Sequence, residues 1–484
     1  MLQFIQSGLF SVQRRSLSTQ DNCMCAPEKI PCCPHHPLFP QDAFGRHRFM
    51  LTHIRKSGKR LLSPDAWKIR LIFWAGAVLV GLVASGFAIS TVYAEDGFHQ
   101  LLVYGDWIPF ILCPLGLVLV SWLTRKIFPG SQGSGIPQSI AALQLTEHTS
   151  RTVLLSFRIA FGKILLTLVG LFSGASIGRE GPTVHIGAAI MFSLGRFAKF
   201  PHHYMDRGLI LAGGAAGIAA AFNTPLAGII FAVEEMGRSF EERTSGVLLT
   251  GVFIAGITAV AIQGNYTYFG STSAGLETST ILVPILVCGI VGGLLGGLFS
   301  TVLIQGSRRL APLVGRRPVI VAIVCGLGIA CVGFLSGNTA YGTGYLEASA
   351  IITGTSTVPD SYPFMKMLAT AFSYLSGIPG GIFAPSLATG AGVGAEIASW
   401  MPSLPVSAII ILGMVGYFTG VVQTPITAFV IVMEMTDNHD LLLPLMATAL
   451  VAYATSRLVC PEPIYRELAK QFLPPPVEKK IPDV

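Results

Sequence analysis

Charged side chains are scarce in this 484-residue chain: Asp, Glu, Lys and Arg make up 12% of it, against about 25% in soluble domains. With 51% hydrophobic residues besides, an ordinary water-soluble globule is excluded. Enzyme signatures are missing as well. There is no His-Glu-x-x-His pair and no evident nucleophile with its base, which argues against a membrane-embedded protease. No folded basic module accompanies the formal charge of +7, so nucleic acid is not an expected partner. Nor do the nine cysteines form a secreted disulfide framework. Cys23, Cys25, Cys32 and Cys33 cluster ahead of His35 and His36, but their spacing fits no standard zinc pattern. That stretch reads as a disordered tail, with metal ligation as the alternative; no metal or cofactor is expected elsewhere.

What the chain does hold is long apolar runs: Leu71–Tyr93, Ile111–Leu123, Val153–Phe172, Val247–Ile262, Ile281–Ile304 and Val319–Leu335. A bilayer needs roughly 17–25 apolar residues per helical span, so some of these are too short to cross alone. They predict an all-α polytopic membrane protein with tilted, broken or re-entrant helices, and its 54 glycines suit close helix packing in lipid. Arg14, Arg15, Arg46, Arg48, Arg55, Lys56, Lys59, Arg60, Lys68 and Arg70 all precede the first span, which places the N-terminus in the cytoplasm. Arg308, Arg309, Arg316 and Arg317 mark a second cytoplasmic loop. The expected division is a cytoplasmic tail over 1–66, a membrane body over 67–458, and a C-terminal helix and short tail over 459–484. Residues 1–20 carry arginine and serine without acid, as an organelle presequence does, and Met50 is an equally reasonable start.

The body repeats itself. Ser173-Gly174-x3-Gly178 with Pro182 parallels Ser376-Gly377-x3-Gly381 with Pro385, 203 positions on. Thr224-Pro225 precedes Glu234 as Thr424-Pro425 precedes Glu434, 200 positions on. Two halves, about 67–245 and 246–458, follow from this, and duplicated halves usually place a substrate site at their interface. Whether the halves are inverted is not visible in the spacing.

Three glycine-proline clusters each lead into an apolar helical run: Gly133-Ser-Gly-Ile-Pro137, Gly178-Arg-Glu-Gly-Pro182 and Gly381-Ile-Phe-Ala-Pro385. Proline suits the first helical turn, and glycine lets backbone approach a ligand. A helix start carries unpaired N–H donors and about half a positive charge. Several such starts converging in a membrane hold an anion without a lysine beside it, and so allow its release. Ordinary breaks between packed helices are the plainer account of any one cluster. Glu180 is the acidic exception, because a carboxylate among apolar helices costs about 2.5–3.5 kcal/mol or more and is functional by default. Beside an anion site it competes with the ion for the same donors until it is protonated.

These motifs, in this order, together with Gly217–Gly228 and Glu434-Met-Thr-Asp-Asn438, resemble the CLC family of chloride channels and chloride/proton antiporters, over nearly the whole body. The resemblance implies a CLC-type bundle of two inverted halves, a homodimer with one pore per subunit, and chloride and protons as the transported partners. It implies that Ser134 and Tyr465 donate hydroxyls to chloride and that the amides of Ile382 and Phe383 complete a central site. The amides around Arg179 to Gly181 serve an outer one. Glu180 becomes the external gate and proton acceptor, Glu235 the internal proton-transfer residue, and Lys163 a buried charge that tunes the pore. The bland alternative for Glu234 and Glu235 is a helix end paired with Arg238 and Arg243. Glu434 reads as a structural or helix-end residue. Ser134, where nitrate-preferring relatives have proline, favours chloride. Gln138 departs from the glutamate of many relatives. The lack of paired nucleotide-binding modules points to a prokaryotic protein of the bacterial inner membrane without ATP regulation. Antiport leads, and a passive chloride channel is the alternative.

Overall fold

A computed structural model describes residues 64–474 except 196, 198–204, 238–241, 273, 277–279 and 356–357. The expectations for the tail, for its Cys and His cluster and for Arg238 lie outside the described residues, as does the Arg243 side chain.

Among the described residues the chain forms helices and no strands, only two isolated β-bridges. In order they are α1 (Pro64–Leu102), α2 (Ile108–Lys126), α3 (Ile136–Gln144), α4 (His148–Leu154), α5 (Phe157–Phe172), α6 (Glu180–Leu194), α7 (Met205–Phe222) and α8 (Pro225–Phe231). The last runs into a π-turn, Ala232–Gly237, and then α9 (Glu242–Gln263). The second half holds α10 (Leu282–Arg316), α11 (Pro318–Leu335), α12 (Tyr345–Thr353), α13 (Tyr362–Leu375), α14 (Phe383–Ser399), α15 (Val406–Val422), α16 (Pro425–Thr436) and α17 (Leu442–Val459). A short α18 (Ile464–Ala469) follows.

Helix lengths bear out the tilted and broken pattern. At 1.5 Å per residue the 35 residues of α10 span about 52 Å, well beyond a hydrocarbon core of roughly 30 Å. The apolar run Val153–Phe172 is interrupted at Leu155, and Ser156 restarts it as α5 by accepting from the Ile159 N–H at 3.3 Å. One expectation needs correction. Arg308, Arg309 and Arg316 are not in a loop but on the last turns of α10, and Arg317 alone links it to α11.

α6, α7, α14 and α15 are apolar on all sides and buried almost throughout, whereas α1, α9, α10, α11 and α17 show leucine, isoleucine and phenylalanine outward. A helix hydrophobic all round belongs in an interior, and outward apolar faces suit lipid. Close approach decides the central crossing. A methyl group on Gly187 of α6 would lie 2.2 Å from the Gly213 carbonyl oxygen of α7, and one on Gly213 equally close to Gly187.

The halves exchange identical bonds. Gly178 N–H donates to the Gly381 carbonyl at 2.6 Å and Gly381 N–H to that of Gly178 at 2.7 Å. The Glu234 carboxylate accepts from the Ile426 and Thr427 amides at the start of α16, at 3.1 and 2.6 Å. The Glu434 carboxylate accepts from the Leu226 and Ala227 amides at the start of α8, at 3.2 and 2.7 Å. Reciprocity of this kind is what a two-fold axis between inverted halves produces. Glu434 is thus a helix-end partner, and Glu234 is one too, bound to a helix start. Charge-assisted capping of this sort is worth about 1–3 kcal/mol. Thermal unfolding of purified protein should show Glu234→Ala destabilised by about that much, and Glu434→Ala by a similar amount.

Candidate functional site

The three glycine-proline turns meet at one point. Gly133 N–H donates to the Ile378 carbonyl at 3.2 Å, and Gly380 N–H returns a bond to the Gly133 carbonyl at 3.3 Å. The Gly178–Gly381 pair ties in the third turn. From this knot α3, α6 and α14 start, so their positive ends face a shared interior.

Ser134 is fully buried, and its Oγ has no hydrogen-bond partner among the described residues. It lies against Gly181: a Cβ there would sit 2.2 Å from Ser134 Oγ and 2.7 Å from its carbonyl oxygen. Gly181→Ala must therefore displace the hydroxyl. We expect anion flux from reconstituted vesicles to fall at least about tenfold, as losing one hydrogen bond to an anion implies.

Tyr465 is also fully buried with an unpartnered phenol. Its helix, α18, packs on α3, the helix that Ser134 precedes. Arg308 of α10 donates to Glu467 and fastens α18 to that helix, and Lys470, just past the end of α18, donates to the same carboxylate at 2.6 Å. The phenol is within electrostatic reach of both Glu180 and Glu235. A cavity of about 550 Å³ leads to Ser134 from this end, lined by Arg125, Gln132, Tyr374, Leu468 and Phe472 among others.

Glu180, the first residue of α6, is fully buried. One carboxylate oxygen accepts from the Ala384 N–H at 3.4 Å, at the start of α14, while the other has no partner among the described residues. A Cβ on Gly178 would lie 2.2 Å from the same oxygen, so the side chain folds back over the Gly178–Gly381 junction. A carboxylate therefore occupies a donor at the start of α14. Ile382 and Phe383 cap and begin α14, both 1% exposed. The Phe383 ring packs edge-on against Phe418 and tilted against Phe222, with ring centroids 4.4 and 5.7 Å apart, and walls this point with aromatic surface.

Two of the expected residues act from outside the knot. The Arg179 guanidinium turns away, donating to the Ala88 carbonyl at 2.7 Å and Thr91 Oγ1 at 2.9 Å and lying over Tyr268. Only its backbone faces the turn. Lys163 is fully buried, and its Nζ donates to the carbonyls of Ser131, Gln132 and Gly133 at 2.9, 3.4 and 3.0 Å. It holds the Ser134 turn from behind. Gln138 binds the same loop, donating to the Gln132 carbonyl at 2.6 Å, so the departure from glutamate supplies a donor where a carboxylate would supply none. Glu235 sits in the π-turn, 1% exposed, beside the helix-capping Glu234.

Sequence reading missed Glu95, Thr343 and Lys366. Lys366 was within reach of it, since it stands 203 positions after Lys163, the offset of the glycine motifs.

A buried anion-ready knot between two inverted halves, inside apolar helices long enough to cross a bilayer, defines an integral membrane protein built for ion passage. The family model described as voltage gated chloride channel matches residues 115–457, and the chain belongs to that family. Among its relatives, the H(+)/Cl(-) exchange transporter ClcA of Cronobacter sakazakii is 31% identical over 445 residues, covering 85% of this chain and 93% of that protein. ClcA of Salmonella schwarzengrund is 29% identical over 443 residues, with 85% and 92% covered. The crystal structure of a slow cyanobacterial Cl−/H+ antiporter superposes with a TM-score of 0.72 at 26% identity, covering 85% of this chain and 98% of that one. A CLC-type fluoride/proton antiporter shares the fold, with a TM-score of 0.71 at 22% identity over 82% and 96% of the two chains.

Proposed function

We propose that this protein exchanges chloride for protons across a membrane, electrogenically, with Glu180 as gate and proton acceptor. The observation that carries the reading is the Glu180 carboxylate accepting from Ala384 N–H at the start of α14. Anion and carboxylate compete for the same donors, so an ion enters when Glu180 is protonated and swings out. Chloride is bound by Ser134 and Tyr465 hydroxyls and by the Ile382 and Phe383 amides, with the amides from Arg179 to Gly181 forming an outer site. Neutral donors hold the halide without a salt bridge that would retain it.

Glu235, buried and within electrostatic reach of Tyr465, acts as the internal proton-transfer residue. It favours antiport over the passive channel, and the exchange activity named for the ClcA relatives points the same way. The protein works as a homodimer with a pore in each subunit, in a bacterial inner membrane, and needs no cofactor. Reversal potentials under an imposed pH gradient test the reading: an antiporter's potential moves with the proton gradient, whereas a potential that tracks chloride alone identifies a channel. Glu235→Gln should reduce proton flux about tenfold or more while chloride flux changes less; equal loss of both would assign Glu235 to folding.

A further inference from the structure

The Ser134 turn has a twin in the second half. Gly133-Ser134-Gly135 and Gly342-Thr343-Gly344 each place one hydroxyl residue between two left-handed glycines, at φ of +70° and +101° in the first and +62° and +78° in the second. Each turn starts a nine-residue helix, α3 and α12. Behind each lies a fully buried lysine bound to three successive carbonyls. Lys366 Nζ donates to Ala340, Tyr341 and Gly342 at 3.1, 2.7 and 2.9 Å, as Lys163 does to Ser131, Gln132 and Gly133. The neighbours correspond as well. A Cβ on Gly135 would touch His185 and Lys163, and one on Gly344 would touch Ala388 and Lys366, each 203 positions later.

The two turns differ in what their hydroxyls meet. Ser134 Oγ has no partner among the described residues, whereas Thr343 donates both its N–H and its Oγ1–H to the carboxylate of Glu95, which reaches in from α1. That carboxylate lies against Gly342 and within reach of the charges of Lys366 and Arg179. A cavity of about 150 Å³ adjoins it, lined also by Arg179, Tyr266 and Tyr345. Arg179 is only 8% exposed, and its Nε has no partner among the described residues.

We infer that the second half retains a complete anion cradle at Thr343, permanently filled by the tethered carboxylate of Glu95, and that without this carboxylate the cradle takes a small monovalent anion such as chloride or formate. Glu95 is then the residue that confines mobile anions to the Ser134 side of the repeat. The inference rests on the reading of Ser134 as an anion donor.

Equilibrium dialysis with radiolabelled chloride tests it on purified full-length protein. Glu95→Ala should bind one more ion per chain than the unmodified protein, and an unchanged count overturns the inference. Adding Thr343→Val should weaken that extra ion about tenfold, the loss of one hydrogen bond to an anion; an unaffected ion lies elsewhere and also overturns it. Glu95→Gln fills the same volume and should keep the unmodified count, and a gain there contradicts the filled-cradle account. If Glu95→Ala unfolds in chloride-free gluconate, restoration of its thermal stability by formate supports the inference, and failure of both formate and chloride to restore it counts against it. No bound ion in the unmodified protein fails the Ser134 reading instead, separately from the ion gained by Glu95→Ala.

Discussion

Glu180→Gln should leave chloride moving through reconstituted vesicles while coupled proton movement falls to background. Glutamine keeps the shape of the side chain but carries no charge and cannot take up a proton. A hydrogen bond to a charged acceptor is worth about 1.5–3 kcal/mol, so removing the competing carboxylate favours the anion at the α14 start by roughly ten- to a hundredfold. The variant's reversal potential should follow the chloride gradient alone. Chloride uptake that still responds to a pH gradient in Glu180→Gln vesicles would remove Glu180 from the proton path.

The second large effect belongs to Lys163→Met. Methionine fills much of the lysine volume but leaves the carbonyls of Ser131, Gln132 and Gly133 without their shared donor. Gln132 keeps its bond from Gln138 and Gly133 its bond from Gly380, so the Ser131 carbonyl is the acceptor left unsatisfied, at a cost of about 1–3 kcal/mol. The Ser134 turn loses its support together with a positive charge behind it. Thermal unfolding should drop accordingly, and chloride affinity should fall with it. Lys163→Arg should not restore either, because a planar guanidinium cannot replace a compact ammonium centred on three carbonyls in a closed space. A stable variant with unchanged chloride affinity would reduce Lys163 to a bystander.

Much of this was legible in the sequence because the converging helix starts are built from backbone. Glycine spacing and proline placement reveal where a helix starts and where backbone can come close. Gly133, Gly178 and Gly381 could therefore be assigned to one kind of turn before their bonds were known. Hydropathy located the spans but not their ends. The last turns of α10 carry Arg308, Arg309 and Arg316, and a helix leaving the apolar layer looks polar, like a loop. Side-chain direction was less accessible still. Glu234 binds α16, whose first residue lies 191 positions away, and only tertiary contact shows it. The second cradle escaped notice because Gly342-Thr343-Gly344 lies 209 positions from Gly133-Ser134-Gly135, six more than the offset shared by the lysines and the other glycines. It also lacks the proline of Gly133–Pro137, and Glu95, which fills it, comes from a helix outside the repeated motifs.

In the proposed exchange a halide and the Glu180 carboxylate are alternative occupants of one set of helix-start amides. Anomalous scattering from bromide in crystals of the unmodified protein and of Glu180→Ala is the most direct measurement. A bromide beside Ala384 N–H in Glu180→Ala, where the unmodified protein holds its carboxylate, is the predicted result. Bromide at that position in both proteins, with Glu180 unmoved, or in neither, would contradict the exchange.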